Sequence, residues 1–411
     1  MNKIDYVVTS TTKYIEQMTK AQRKKYGQFF TSKETAVFMA ELFDLQSASG
    51  AVSILDPGAG SGILSTALIE RMLDVAAITK IKLVCYESDT NILELLRSNM
   101  DWVCAHASKP IEYKIVADNY ILSQMADYNH MLWESPNPPK YDYVIGNPPY
   151  MKIPKDAPEA LAMPDVCYGA PNLYFIFASM SLFNLKSDGE MVYIIPRSWT
   201  SGAYFKKFRQ KFLDEGALEH IHLFVSRDKV FEKESVLQET IIIKVKKAKN
   251  KPQNVTITTT QSNADFSQKT VFHAPYDTVV NGKDQYVYLV TNAKEVETLE
   301  RLNRLPNTLP SIGLKMKTGL TVDFRNREAL RDHAEATAVP LFYSQHIKNG
   351  KVEFPIGKEH EYLVTEQNGL LQKNSNYLFV KRFTAKEEHR RLQCGIYLAR
   401  KHPEYREIST Q

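Results

Sequence analysis

Asn147-Pro148-Pro149-Tyr150 follows directly on the mostly apolar run Tyr141–Gly146. The four residues combine an amide oxygen, a rigid turn with free carbonyls and an aromatic ring. Two acceptors, the Asn147 side-chain oxygen and the Pro148 carbonyl, suit the hydrogens of a planar amino group. The amino nitrogen of adenine is a poor nucleophile because its lone pair is delocalised into the ring. Acceptors aimed at its hydrogens favour a more tetrahedral and more reactive nitrogen. Neither proline can donate, and both restrict the backbone, so the acceptors are set before substrate arrives. Tyr150 is expected to offer its face to the ring. A similar tetrapeptide upstream, Asn137-Pro138-Pro139-Lys140, lies in a Pro-rich stretch with no strand before it and a lysine in place of the aromatic. It reads as a loop.

A second constellation is Ile54-Leu55-Asp56-Pro57-Gly58-Ala59-Gly60-Ser61-Gly62, a strand running into a glycine-rich turn and then a helix. Gly58, Gly60 and Gly62 permit a tight turn and a close approach of backbone to ligand. No Gly-Lys-Ser/Thr ending follows, which argues against a phosphate-gripping loop. Glu87 closes the next strand, where a carboxylate can accept both hydroxyls of a ribose. Asp118, with Asn119 beside it, ends the third strand and can accept from an adenine amino group. Taken singly, Asp56 also fits a helix cap and Asp118 the start of a turn. Three strand-end carboxylates in order ahead of Asn147 favour the ligand-binding reading.

The elements that must position these groups alternate. Strand candidates are Val52–Asp56, Lys82–Glu87, Tyr113–Ala117, Tyr141–Ile145, Glu190–Ile195, Ile221–Val225 and Thr240–Lys246, with helical patterns such as Ile63–Met72, Thr90–Met100 and Leu173–Leu185 between most of them. That order predicts an α/β fold, a Rossmann-like, mostly parallel sheet wound on both faces. The last two strands lack a helix between them and suggest an antiparallel hairpin at one edge. Lys244, Lys246, Lys247, Lys249 and Lys251 then crowd together before Pro252. They read either as a solvated strand end and linker or as a phosphate-facing strip, and a domain boundary is placed there, giving 1–250 and 251–411. Ala293–Leu305 looks helical. The 411 residues suffice for two domains. A formal charge of +5 and a pI near 8.7 are compatible with nucleic acid without establishing it. With no apolar run of membrane-spanning length and no signal pattern, the chain is expected in the cytoplasm. Cys85, Cys104, Cys167 and Cys394 are scattered without metal-ligand spacing, so no metal site is expected.

Together these motifs resemble the gamma-class N6-adenine DNA methyltransferases of restriction–modification systems, the TaqI-like group. Tyr26-Gly27-Gln28-Phe29-Phe30-Thr31 matches the family's N-terminal cofactor motif, placed ahead of the glycine-rich loop in the order that defines the class. Asn172-Leu173-Tyr174 and the strand ending at Pro196 match later motifs. Ser32 departs from the family, which usually has proline there. The resemblance implies the S-adenosylmethionine-dependent methyltransferase fold, with S-adenosylmethionine bound by Tyr26, Thr31 near its carboxylate, Glu87 on its ribose, and Asp118, Asn119 and Asn147. It also implies that Phe231, in Val230-Phe231-Glu232-Lys233, covers the second face of a flipped base.

The C-terminal part resembles the family's mixed α/β target-recognition domains through Thr318–Arg325, Pro340–Tyr343 and Val380–Phe383. Arg325, Lys381 and Arg382 can reach phosphates or guanine edges, or can pair internally with Asp323, Glu387 and Glu388. Many relatives continue beyond Arg390-Arg391, so a further piece of chain or a partner subunit is expected to supply what is missing. Expected partners are double-stranded DNA and a restriction endonuclease or a second methylase or specificity subunit. Rival readings are a methyltransferase of protein glutamine or of an RNA base using the same pocket, and a non-catalytic DNA-binding subunit.

Overall fold

A computed structural model of the chain describes residues 2–17, 30–129, 140–224, 240–384 and 388–411. Two compact units divide it, Met1–Arg304 and Leu305–Gln411.

The first unit opens with α1 (Lys3–Gln17) and α2 (Lys33–Glu41). Strands and helices then alternate: β1 (Gly50–Asp56), α3 (Ile63–Leu73), β2 (Ile78–Tyr86), α4 (Leu93–Ala105), β3 (Ile111–Val116), α5 (Tyr120–Tyr128), β4 (Tyr141–Gly146), α6 (Pro158–Ala162), α7 (Leu173–Asn184), β5 (Leu185–Pro196), α8 (Lys206–Glu215) and β6 (Ala217–Phe224). β7 (Thr240–Lys246), β8 (Asn254–Thr260) and β9 (Thr270–Pro275) follow, and α9 (Ala293–Asn303) closes the unit. The nine strands form one sheet in the order β3-β2-β1-β4-β5-β7-β6-β8-β9. β7 and β9 run antiparallel to their neighbours and the rest are parallel. This is the methyltransferase fold expected from the sequence.

Burial explains why these segments are strands. Thr240–Val245 of β7 is buried without a break, as befits a strand covered on both faces. One apolar layer unites the sheet with α1, α2, α3 and α4. The opposite layer unites it with α5, α7 and α8. α7 is apolar on nearly every side and is buried almost throughout, as expected for a helix packed on all faces. The chain winds outward from β1 to β3 and then returns to place β4 on the other side of β1. That reversal opens a crevice beyond the carboxyl ends of β1 and β4, where open α/β sheets bind ligands.

Two expectations need correction. β6 and β7 pair as an antiparallel hairpin, but not at an edge, because β8 pairs in parallel with β6 (Ile221 opposite Ile257) and β9 covers β8. The expected break after residue 250 therefore falls inside the first unit. Four of the five lysines that suggested it, Lys244, Lys246, Lys247 and Lys251, are engaged internally. Lys244 pairs with Glu190 at 2.9 Å and Glu219 at 3.1 Å. Lys247 donates to the Phe183 and Leu185 carbonyls, and Lys251 to those of Asp214 and Gly216.

The second unit contains a five-stranded sheet and a four-stranded sheet. Small cores around Leu330, Leu341 and Leu363 and around Phe342, Tyr397 and Ile408 hold it together. Its expected helical component is confined, among the described residues, to 3-10 turns. Residues 305–411 carry 17 Lys and Arg against 12 Asp and Glu, so the whole formal excess of +5 lies in this unit. No helix among the described residues is long and apolar enough to cross a membrane.

Candidate active site

A cavity of about 230 Å³ occupies the crevice beyond β1 and β4. Its floor is the loop after β1. Gly60 and Gly62 adopt φ of +54° and +81°, a region open to glycine at no steric cost. At Gly62 a Cβ would also meet the Met100 methyl at 2.6 Å. Pro57, Gly58 and Gly60 line the cavity, while Gly62 turns the chain into α3. Asp56 is not in the wall. It lies fully buried beneath the loop and accepts from Ser65 Oγ at 2.7 Å, which ties β1 to α3. Burial pushes its carboxyl up to about 7.

Glu87, expected as a ribose ligand, does reach the cavity. It also braces the loop, because Oε2 accepts from Gly60 N–H and Oε1 from Asp89 N–H, each at 2.9 Å. Burial raises its carboxyl above the ordinary range. Asp118 and Asn119 line the neighbouring wall. Asn119 is committed elsewhere, since its oxygen caps α5 at Leu122 N–H and its amide donates to Glu159 Oε1 at 2.8 Å. Glu87, Asp89, Asp118 and Glu159 put four carboxyl groups in the wall, and no Lys, Arg or His accompanies them among the described lining residues. Such a wall suits a cationic or hydroxyl-rich ligand and repels phosphate. Tyr86, Ile92, Tyr120, Leu173 and Phe177 supply apolar surface. The sequence reading placed only Leu173 in a motif and missed the other four, although Tyr86 and Tyr120 flank the predicted ligands Glu87 and Asn119.

Asn147, Pro148 and Pro149 close the cavity on the β4 side. Asn147 Nδ2 donates to Thr31 Oγ1 at 3.2 Å, and Asn147 Oδ1 accepts from the Tyr150 hydroxyl at 2.7 Å. That hydroxyl also lies 3.0 Å from the Ile194 carbonyl on β5. Tyr150 was expected to be an exposed stacking face. Instead it is half-buried with its ring edge-on to Tyr174, and burial raises its phenol. Thr31 sits before the cap of α2, and Phe30 lines the cavity. Ser32, the departure from the family pattern, accepts from Thr35 N–H at 3.2 Å and so caps α2. Asn172 caps α7 by accepting from Tyr174 N–H, which sets Leu173 at the cavity. Tyr26 and Phe231 lie outside the described residues, as does most of the upstream Asn-Pro-Pro copy. Its Lys140 donates to the Phe183 carbonyl.

In the second unit, Lys381 pairs with Glu388 at 2.9 Å, so the internal reading holds for it. Arg325 and Arg382 are exposed, each guanidinium over the ring of its neighbour, Phe324 at 5.6 Å and Phe383 at 5.0 Å.

A sequence profile of the Eco57I restriction-modification methylase family matches residues 73–231. The type II methyltransferase M.PstI of Providencia stuartii is 35% identical over 385 residues, spanning 91% of this chain and 74% of that protein. The type II methyltransferase M.BsuBI of Bacillus subtilis is 33% identical over 386 residues, with the same coverage of 91% and 74%. At that identity and coverage the relation extends across both units, and the chain belongs to the type II restriction–modification DNA methyltransferases.

Proposed function

We propose that the chain transfers a methyl group from S-adenosylmethionine to the N6 amino group of an adenine flipped out of duplex DNA at a specific site. The observation that carries this reading is that Asn147 and Pro148 line an acidic cavity at the point where the sheet reverses its order. The residues fit the cofactor. Glu87 keeps acceptor capacity toward ribose hydroxyls, the carboxyl-rich wall complements a sulfonium and an ammonium, and Tyr86, Ile92 and Phe177 offer surface to an adenine ring. Bound there, S-adenosylmethionine would supply an electrophilic methyl carbon.

The chain's own part is alignment and activation of the amino group. The Thr31 and Tyr150 hydroxyls hold the Asn147 amide from its two ends. The Tyr150 hydroxyl has one proton and two acceptors, so it can turn to the Ile194 carbonyl and release Asn147 Oδ1 to a substrate amino hydrogen. With Pro148 accepting the other hydrogen, the nitrogen lone pair is freed from the ring. Extruding the base costs roughly a few kcal/mol. The net positive second unit, with Arg325 and Arg382 exposed, is assigned to gripping and reading the flanking duplex, and both arginines have the reach for it. Nucleoside analysis after incubating the chain with duplex DNA and S-adenosylmethionine tests the proposal. N6-methyladenine is expected. Methylcytosine, or label in protein instead of DNA, would refute it.

A further inference from the structure

The loop between β8 and β9, residues 261–269, returns to the catalytic end of the sheet and packs on α2, the helix that follows Phe30 and Thr31. Phe266 stacks on Phe38 of α2 with ring centroids 4.5 Å apart and 21° between planes. Phe38 and Phe266 both also contact the His222 ring, at 4.5 and 5.3 Å. His222 is fully buried and held by Thr258 at 2.8 Å and Thr260 at 3.1 Å, so the floor under the two phenylalanines is fixed by hydrogen bonds. At the start of α2, the Ser32 and Thr35 hydroxyls point at the Asn263 carbonyl, at 3.4 and 3.5 Å. The loop is itself braced, because Thr260 Oγ1 donates to the Ser262 carbonyl at 2.8 Å and Ser267 N–H to Asp265 at 2.8 Å.

We infer that this loop is a clamp that holds the Phe30–Thr31 segment in the cofactor cavity, and that Phe266 is a positioning residue for cofactor binding. Phe266 does not line the cavity. It acts through α2. Seating α2 seats Ser32 at its cap, Thr31 against the Asn147 amide at 3.2 Å, and Phe30 in the cavity wall. An aromatic stack contributes about 0.5–1.5 kcal/mol beyond its buried area. Its loss lets the N-terminal end of α2 move while the sheet keeps its own hydrogen bonds. The physical link runs between segments more than two hundred residues apart, and no motif spacing reveals it.

The inference rests on the cofactor reading above, and its test separates the two. S-adenosylhomocysteine is titrated into full-length chains by calorimetry, alongside amide hydrogen exchange without ligand. Phe266→Ala should weaken binding about tenfold and speed exchange at 30–36, with exchange in β1 and β4 unchanged. Phe266→Tyr, which keeps the stack, should restore affinity. Should Phe266→Ala fail to fold, Phe266→Leu keeps the apolar bulk and is expected to weaken binding about threefold. Unchanged affinity in the variant that folds overturns the clamp. So does faster exchange throughout the sheet, or an affinity loss that Phe266→Tyr does not repair. A wild-type chain that binds no S-adenosylhomocysteine overturns the proposed function, and the clamp with it.

Discussion

The Tyr150 hydroxyl stands 2.7 Å from Asn147 Oδ1 and 3.0 Å from the Ile194 carbonyl, so one phenolic proton is shared between the proposed catalytic amide and the neighbouring strand. A residue expected to act through its ring face is thus engaged through its oxygen. Tyr150→Phe keeps the ring and removes this brace. Single-turnover methyl transfer should fall about tenfold, near 1.4 kcal/mol, with cofactor affinity unchanged. A rate within twofold of wild type would leave the hydroxyl without a role.

Glu87 accepts from the Gly60 and Asp89 amides at 2.9 Å and faces the cavity. Glu87→Ala removes both braces and the proposed ribose acceptor together. Calorimetry should show S-adenosylmethionine binding weakened by about ten- to hundredfold. Glu87→Gln retains one carbonyl oxygen and should lie between. Equal affinity in all three chains would remove Glu87 from the cofactor site.

Asp56 gives a pH signature. Its ordinary value of 3.8 rises to about 7 in the fold because burial disfavours the charged form. The folded state therefore holds the proton more tightly than the unfolded chain. The corresponding stability is present below pH 3.8 and is lost as pH rises toward about 7. Asp56→Asn, which cannot ionise, should gain on wild type across that window, by on the order of a few kcal/mol at pH 8. Urea melts of both chains at pH 5 and pH 8 check this. A difference that does not change with pH would show that Asp56 titrates at its ordinary value.

The first unit sets the smallest cofactor-binding fragment. Val255, Ile257 and Ala274 of β8 and β9 are buried in the core of the main sheet. A fragment ending at Lys251 should therefore fail to fold, while Met1–Arg304 should fold, bind S-adenosylmethionine and lose site-selective DNA binding. Circular dichroism with calorimetry decides the first point and filter binding the second. Site-selective methylation by Met1–Arg304 alone would contradict the division of labour.

Arg325 and Arg382 are the exposed arginines assigned to DNA. If Arg325 reads a base edge, Arg325→Ala should cost about 1–3 kcal/mol on the preferred site and relax sequence preference. If it meets phosphate, affinity should fall on all sequences and the salt slope should drop by about one. No change in either, in a folded chain, makes Arg325 structural. The same comparison applies to Arg382→Ala.

What the sequence made legible, and what it hid, follow from how local each signal is. β1, β2, β4 and β5 announce themselves because Ile54, Leu83, Val144 and Val192 belong to apolar runs that any covered parallel strand needs. Asn147, Glu87 and the glycine loop are legible because their chemistry lies in contiguous motifs at strand ends. β8 was hidden because Thr256, Thr258 and Thr260 look polar. Thr258 and Thr260 meet His220 and His222 on β6, and Thr256 meets His273 on β9, matches visible only once the strands lie side by side. Tyr150 was read from its ring, while the acceptors of its hydroxyl are Asn147 of the same tetrapeptide and Ile194 on β5. Lys244, Lys247 and Lys251 resembled part of a linker because their carboxylate and carbonyl partners lie on distant segments.

The most direct test of the account is sequencing, with modified-base detection, of DNA from a host expressing the wild-type chain or Asn147→Ala. Wild type should place N6-methyladenine at one recurring sequence, and Asn147→Ala should leave that sequence unmodified although the protein is folded and binds S-adenosylmethionine. Modification of a different base, or undiminished N6-methyladenine with Asn147→Ala, would contradict it.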